Sequence, residues 1–412
     1  MRLITALCLA LFTSAASPAP HQGFDSSQAL DQQMAATLQS LSAGNLAEAR
    51  ILSRQMALRF PTSALAQLLS AELAATAAHR DVLAAGAQPM SQTLMALLLE
   101  ARARLHGGPV TRGAQLMDEL PSEIIQLGKD VSALLVVDLA NSTLHHLAVN
   151  DGFPTLLRQH YVGSGKAGFG KRVEGDNKTP LGIYTITGQR SDASLPDLYG
   201  SGALTLDYPN ALDRHLGRTG SGIWLHGVPR DQQSRPPRSS EGCVTMSNDH
   251  FTLLQNGLSI GKALPQARSG LPGGQPLVVL TYATRWQLAS DREAEREYFQ
   301  NLFVRYQQAW RERDEIDLLA LYESTTVARD RLDQIELHDA SSPSPLDAVN
   351  RQDISIFRNP SLQVGDARLD RPFVIMRAQI GPKYANQLTL YWAQDSDGDW
   401  QVVTEHWNVS EH

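Results

Sequence analysis

Ile223-Trp224-Leu225-His226-Gly227 and Ser239-Ser240-Glu241-Gly242-Cys243-Val244-Thr245-Met246 are separated by a polar, proline-containing loop. The apolar run before His226 and the alternation of Val244 and Met246 after Cys243 read as strand, loop, strand. A thiol attacks a carbonyl as its thiolate, and an imidazole at the end of a strand is a suitable base to generate one. His226 and Cys243 are therefore the candidate base and nucleophile. Glycine at 242 suits a tight turn on which the N–H groups of Gly242 and Cys243 converge, an arrangement that would hold a developing oxyanion.

The leader sharpens this reading. Residues 1–17 carry Arg2, an apolar run from Leu3 to Phe12 and then small residues, the pattern of a secretory signal peptide too short to span a membrane. The chain has two cysteines, Cys8 and Cys243, so cleavage leaves one thiol without an intramolecular partner in an oxidising compartment. A buried, inert cysteine is the competing reading. The flanking Gly242, the available His226 and the leader together argue for a reactive one. No later segment has the roughly 18 unbroken apolar residues of a membrane helix, so a periplasmic or secreted protein is expected. The net charge of −7 argues against nucleic acid as a partner.

At His226-Gly227 and Ser240-Glu241-Gly242-Cys243-Val244 the sequence resembles the L,D-transpeptidase (YkuD-type) family, whose pattern is His-Gly, a loop, then Ser-x-Gly-Cys and an apolar position. The resemblance implies that Cys243 accepts the acyl group, that His226 is its base and later its acid, and that the Gly227 carbonyl orients the imidazole. It further implies peptidoglycan stem peptides as substrate, with no metal or organic cofactor. Glu241 and Thr245 depart from the family pattern, where histidine and arginine or asparagine are common. The outcome stays open among cross-linking to an amine, trimming by water as in an L,D-carboxypeptidase, exchange of a lipoprotein linkage, and an inactive wall-binding scaffold. The turn Gly175-Asp176-Asn177-Lys178-Thr179-Pro180-Leu181-Gly182, entering an apolar strand, resembles a second part of the same family.

Around this unit the chain divides into three expected parts, a multidomain α+β protein. Residues 26–129 are rich in Ala, Leu and Gln and read as a helical, tetratricopeptide-like region, a surface for a protein partner or for self-association. Residues 131–283 form the mainly-β catalytic domain, with strands at Ala133 to Leu139, Thr143 to Val149 and Pro276 to Tyr282. Adjacent His145 and His146 point to opposite faces of a strand and cannot chelate one metal; they read as structural or solvent-facing. Gly165 to Lys171 fits part of a phosphate loop but fails at Arg172. Among substrate contacts, Ser240 belongs to the motif, Tyr199 lies in a loop that would border the groove, and Arg235 and Arg238 suit a peptide carboxylate. His215 is the competing base but reads as part of a polar loop. Residues 291–412 combine a helix with one apolar face, at Phe299, Leu302, Phe303, Tyr306 and Trp310, with strands from Phe373 onward. That order resembles the NTF2-like fold. Asp395 to Asp399 reads as a hairpin turn.

Overall fold

The computed structural model describes residues 26–77, 100–101, 104, 114–115, 119–232, 235–258, 274–312, 314–324, 327–329, 346–361, 371–380 and 386–408. The leader at 1–17 and the Ser/Pro-containing link at 341–345 lie outside the described residues. The described residues begin with three helices, α1 (Ser26–Ser42), α2 (Leu46–Arg59) and α3 (Ala64–Ala77). They close on a core of their own that includes Leu30, Met34, Met56, Phe60 and Leu73. The helical expectation for residues 26–129 ends early. Short strands β1 (Ala114–Gln115), β2 (Glu119–Pro121) and β3 (Ile124–Gln126) stand in its last part, each paired by a distant segment.

The catalytic region contributes β4 (Val131–Asp138), β5 (Thr143–Asn150), β6 (Phe153–Tyr161), β7 (Ser164–Gly165), β8 (Gly182–Ser191) and β9 (Gly202–Leu206). After the one-turn helix α4 (Ala211–His215) come β10 (Trp224–His226), β11 (Arg238–Ser240), β12 (Val244–Thr245), helix α5 (Asn248–Gly257) and β13 (Gln275–Thr281). Among the described residues these form a nine-stranded sheet in the order β1-β6-β5-β4-β13-β8-β9-β10-β12. Strand β8 serves both halves: its first residues pair with β13, and beyond a bulge between Ile186 and Gly188 it pairs with β9. A bulge of this kind bends a strand and re-aims the residues beyond it. Beyond it β9, β10 and β12 continue the sheet along a core that takes in Leu204, Leu225, Val244 and Phe251.

The apolar run of β4 is buried on both faces. Ala133, Leu135 and Val137 enter that core, while Leu134 and Val136 enter a second one. Continuous rather than alternating hydrophobicity is what two-sided burial requires. The second core is shared with the C-terminal part of the chain, which adds β14 (Trp286–Leu288), α6 (Glu293–Glu312), α7 (Glu315–Leu321), β15 (Ser355–Arg358), β16 (Phe373–Gln379), β17 (Gln387–Gln394) and β18 (Trp400–Asn408). Strands β15 to β18 make a five-stranded sheet, β18-β17-β16-β15-β3, with β3 donated from ahead of the catalytic domain.

Its strands are double-faced too. Val374, Met376, Leu390 and Trp392 pack under Phe299, Phe303 and Tyr306 of α6. Phe373, Ile375, Tyr391 and Ala393 pack against Leu134, Val136, Leu277 and Val279 of the catalytic sheet. The C-terminal α+β unit is thus fused to the catalytic sheet through a common apolar layer. At its edge Arg377 reaches buried Asp130 (3.3 Å) and Thr185 (3.0 Å), and Ser355 donates to the same Asp130 carboxylate.

One local expectation changes, and another is narrowed to its structural alternative. His215 ends α4, whose Asn210 caps the first turn and receives Asp213 in return, so it is helical rather than in a loop. His145 and His146 do lie on opposite faces, but both are buried, His145 against Gln159 and Trp286. The Asp395 to Asp399 segment is the β17–β18 turn, with the Asp395 carboxylate accepting from the N–H groups of Asp397 and Asp399.

Candidate active site

Strand β10 runs parallel to β12, with Leu225 opposite Val244 and His226 opposite Thr245. Cys243, one residue ahead of Val244, is then level with Trp224. Cys243 precedes β12, and its thiol lies against the backbone just ahead of β10, at the Gly222 carbonyl. Tyr199 neighbours both residues, edge-on to the His226 ring and within reach of the Cys243 charge.

The imidazole is fixed from behind. His226 Nδ1 stands 2.7 Å from the Gly227 carbonyl, which can only accept, so the proton lies on Nδ1 and Nε2 carries the lone pair. Tyr199 closes the ring edge-on with centroids 4.9 Å apart. Burial pushes the His226 pKa down to about 4, partly offset by the Gly227 bond, and Arg235 lowers it further. Cys243 is half-buried, and its thiol donates to the Gly222 carbonyl at 3.4 Å. Burial pushes this thiol up and the Glu241 charge adds to the effect, while the Trp224 backbone N–H and the Lys171 ammonium act in the opposite sense. At neutral pH both groups are consequently in their neutral forms, a thiol and an imidazole.

The turn that carries Cys243 is built from both sequence motifs. Gly242 has φ +133°, and a Cβ there would stand 2.8 Å from the Lys178 carbonyl. Asp176 shapes the loop that brings Lys178 in, taking N–H bonds from Arg172 and Lys178 and an ion pair from buried Lys171 at 2.9 Å. Lys171 is thereby committed within its own loop, in keeping with the failed phosphate-loop match. Thr179 accepts from Gly165 N–H at 2.9 Å and donates to the Gly242 carbonyl at 3.0 Å.

Two expected roles change at this turn. The Gly242 N–H donates to Ser240 Oγ at 3.1 Å, so it is engaged within the turn rather than held open for an oxyanion. Ser240 is buried and its hydroxyl donates to the Cys243 carbonyl at 2.6 Å. This geometry makes Ser240 a clamp of the nucleophile turn, not a substrate contact. The Cys243 N–H, leaving the same turn, is the expected oxyanion donor that this bonding does not consume.

Tyr199 lies beside His226 and, tilted at 43°, beside Trp224 at 5.1 Å, with Arg190 over the Trp224 ring at 5.4 Å. Asn248 pins this wall in place. Its Oδ1 accepts from Ser201 N–H (2.8 Å) and Val228 N–H (3.2 Å), and its amide donates to the Val228 carbonyl. Arg235 lies on the loop whose charge reaches His226. Arg238 points elsewhere, its guanidinium over Phe169 at 5.3 Å. Arg230 pairs with Asp192 and Asp197, fastening the Tyr199 loop. Trp224, Arg190 and Asn248 were not singled out by sequence; Trp224, inside the motif strand and two residues before the base, carried the one available signal. Among the described residues no cluster of His, Cys, Asp and Glu could hold a metal ion.

A histidine with its Nε2 lone pair free and a cysteine on a glycine turn are thus gathered around Tyr199. Residues 132–263 match the model of the L,D-transpeptidase catalytic domain, YkuD, and both His226 and Cys243 fall inside the match. The chain therefore carries a YkuD-type domain, the catalytic unit of a family of cysteine-dependent peptidoglycan enzymes. No curated protein matches the chain in sequence.

Among solved structures, the helical cell shape determining protein Pgp2 from Campylobacter jejuni is similar at TM-score 0.50 and 19% identity, over 69% of this chain and 94% of that one. Bd1075 from Bdellovibrio bacteriovorus is similar at TM-score 0.50 and 20% identity, over 71% of this chain and 99% of that one. At such identities the likeness is one of fold. No helix among the described residues is long and apolar enough to cross a membrane.

Proposed function

We propose that this protein is a periplasmic cysteine acyltransferase of peptidoglycan, an L,D-transpeptidase acting on stem tetrapeptides. The observation that carries the reading is that His226 and Cys243 share Tyr199 as a neighbour, edge-on to the imidazole at 4.9 Å and within reach of the Cys243 charge, with His226 Nδ1 tied to the Gly227 carbonyl. Nε2 of the neutral imidazole takes the thiol proton as Sγ attacks the carbonyl between the L-configured centre of the diamino acid and the terminal D-alanine. The Cys243 N–H and the edge of the turn meet the developing oxyanion. The imidazolium then returns its proton to the departing D-alanine amine, leaving a thioester. An incoming amine, deprotonated by the same imidazole, resolves the thioester into a cross-link.

Water in place of the amine gives a tripeptide, and one observation favours this second reading. The fold likeness extends beyond the catalytic domain over nearly the whole of Pgp2, a protein described as determining helical cell shape. The fused C-terminal unit supports a comparable wall-shaping role for this chain, and the signal-peptide pattern supports the periplasm as its site.

Mass spectrometry of disaccharide tetrapeptide incubated with the protein distinguishes the two. Dimers joined through two diamino acids are expected of a transpeptidase, and tripeptide with free D-alanine of a carboxypeptidase. Substrate left unchanged by both the protein and its Cys243→Ala variant would dismiss the enzyme and favour a scaffold.

A further inference from the structure

The loop between His226 and Cys243 is tied to the helical N-terminal region by a chain of side chains. Arg104 is fully buried at its guanidinium end and pairs with Asp31 of α1 at 2.8 Å and with Glu100 at 3.0 Å. Its guanidinium lies 4.5 Å from the ring centre of Tyr161, the last residue of β6. The Tyr161 hydroxyl donates at 2.7 Å to the carbonyl of Arg235.

Each link has a physical consequence. A buried guanidinium is tolerated where carboxylates fix it, and a fixed guanidinium fixes the aromatic face it covers. Burial keeps the Tyr161 hydroxyl protonated, hence a donor, well beyond ordinary pH. Its acceptor is backbone, so the bond acts on where the loop lies and not on local charge. Ser164 holds the carbonyl of Pro237, two residues after Arg235, with both its N–H (2.7 Å) and its hydroxyl (3.0 Å). The Arg235 segment is thus pinned at two points, and its charge bears on His226.

We propose that the helical N-terminal region sets the position of Arg235 beside the catalytic pair, with Arg104 and Tyr161 as positioning residues, so that the guanidinium draws an anionic group of the ligand toward Cys243. The inference rests on the reading of Cys243 as nucleophile.

Alkylation of Cys243 in the full-length protein by iodoacetate, an anion, and by iodoacetamide, its neutral counterpart, tests it without any peptidoglycan. Tyr161→Phe keeps the ring under Arg104 and removes only the hydroxyl. It is expected to lower the iodoacetate-to-iodoacetamide rate ratio about three-fold, the scale of a partly exposed charge pair, with the iodoacetamide rate unchanged. Arg235→Gln should lower the ratio equally, and the double variant should lower it no further. Asp31→Asn, at the far end of the chain, should move the ratio in the same direction. A ratio unchanged by Tyr161→Phe and Asp31→Asn but lowered by Arg235→Gln would overturn the positioning role. A Cys243 inert to both reagents in the folded protein would remove the nucleophile reading, and this inference with it.

Discussion

Thr179 and Gly242, 63 residues apart in sequence, are joined by a buried hydrogen bond in which the Thr179 hydroxyl donates to the Gly242 carbonyl at 3.0 Å. It connects the two motif regions directly beneath the nucleophile. Thr179→Val keeps the shape and deletes the hydroxyl, leaving both the Gly165 N–H and the Gly242 carbonyl without their partner. A stability loss of about 1–3 kcal/mol by urea denaturation is expected. A fall in kcat/KM of at least ten-fold should accompany it, because the turn that aims Cys243 loosens.

Gly242→Ala tests the same turn from the other side. The added Cβ would stand 2.8 Å from the Lys178 backbone at a φ that L-residues rarely adopt. Thiol reactivity and turnover should be lost while circular dichroism and the unfolding midpoint show the protein still folded. Retained turnover would mean that the turn can rearrange without cost to the chemistry.

The acidic limb of the pH–rate profile should lie unusually low. The base must be unprotonated to accept the thiol proton, and burial holds His226 near pKa 4 rather than 6.5. The rate constant kcat/KM is therefore expected to stay level down to about pH 5 and to fall only near 4. A limb near 6.5 would indicate that the imidazole is solvated in the working enzyme.

Stability should depend on pH through a separate set of histidines as well. Burial lowers His145 and His146 to about 4, and it lowers His160, which also faces His250, His146 and Arg158, well below its ordinary value. The unfolded chain binds these protons near pH 6.5 and the folded chain does not. Their contribution is thus full above about 6.5 and is lost as pH falls toward 4. Both His160 ring nitrogens are buried without a hydrogen-bond partner. His160→Phe should therefore shrink the difference in urea midpoint between pH 7 and pH 5.

The C-terminal unit should not behave as a detachable module. Ending the chain after Leu288 would bare the apolar face made by Leu134, Val136, Leu277 and Val279. Such a fragment is expected to aggregate. In the intact chain, Arg377→Met strands Asp130 as a buried carboxylate and should cost about 3–5 kcal/mol. Calorimetry of the whole protein should show the catalytic sheet and the C-terminal sheet melting together.

Much of this was legible because the informative patterns are local. The strand-loop-strand around His226 and Cys243, the strands at 133–139 and 276–282, and the apolar stripe of α6 follow from periodicity and special residues. What stayed hidden depends on long-range partners. Leu134 and Val136 signal a second buried face without saying that Ile375 and Tyr391 cover it. Nothing within Ile124–Gln126 announces that it will edge a sheet some 230 residues away. Ser240 reads as touching substrate because it belongs to the motif. A hydroxyl two residues before a turn N–H is also a common local acceptor, and that pattern is the signal for its bond to Gly242.

The central claim is that Cys243 carries the acyl group of a stem peptide. Rapid acid quench of the protein with disaccharide tetrapeptide, followed by intact mass analysis and peptide mapping, tests it most directly. A transient adduct equal to the substrate less D-alanine, on the peptide containing Cys243 and absent from Cys243→Ala, is the expected result. Turnover of the tetrapeptide that continues at an undiminished rate in Cys243→Ala, with no adduct on the wild-type thiol, would contradict it.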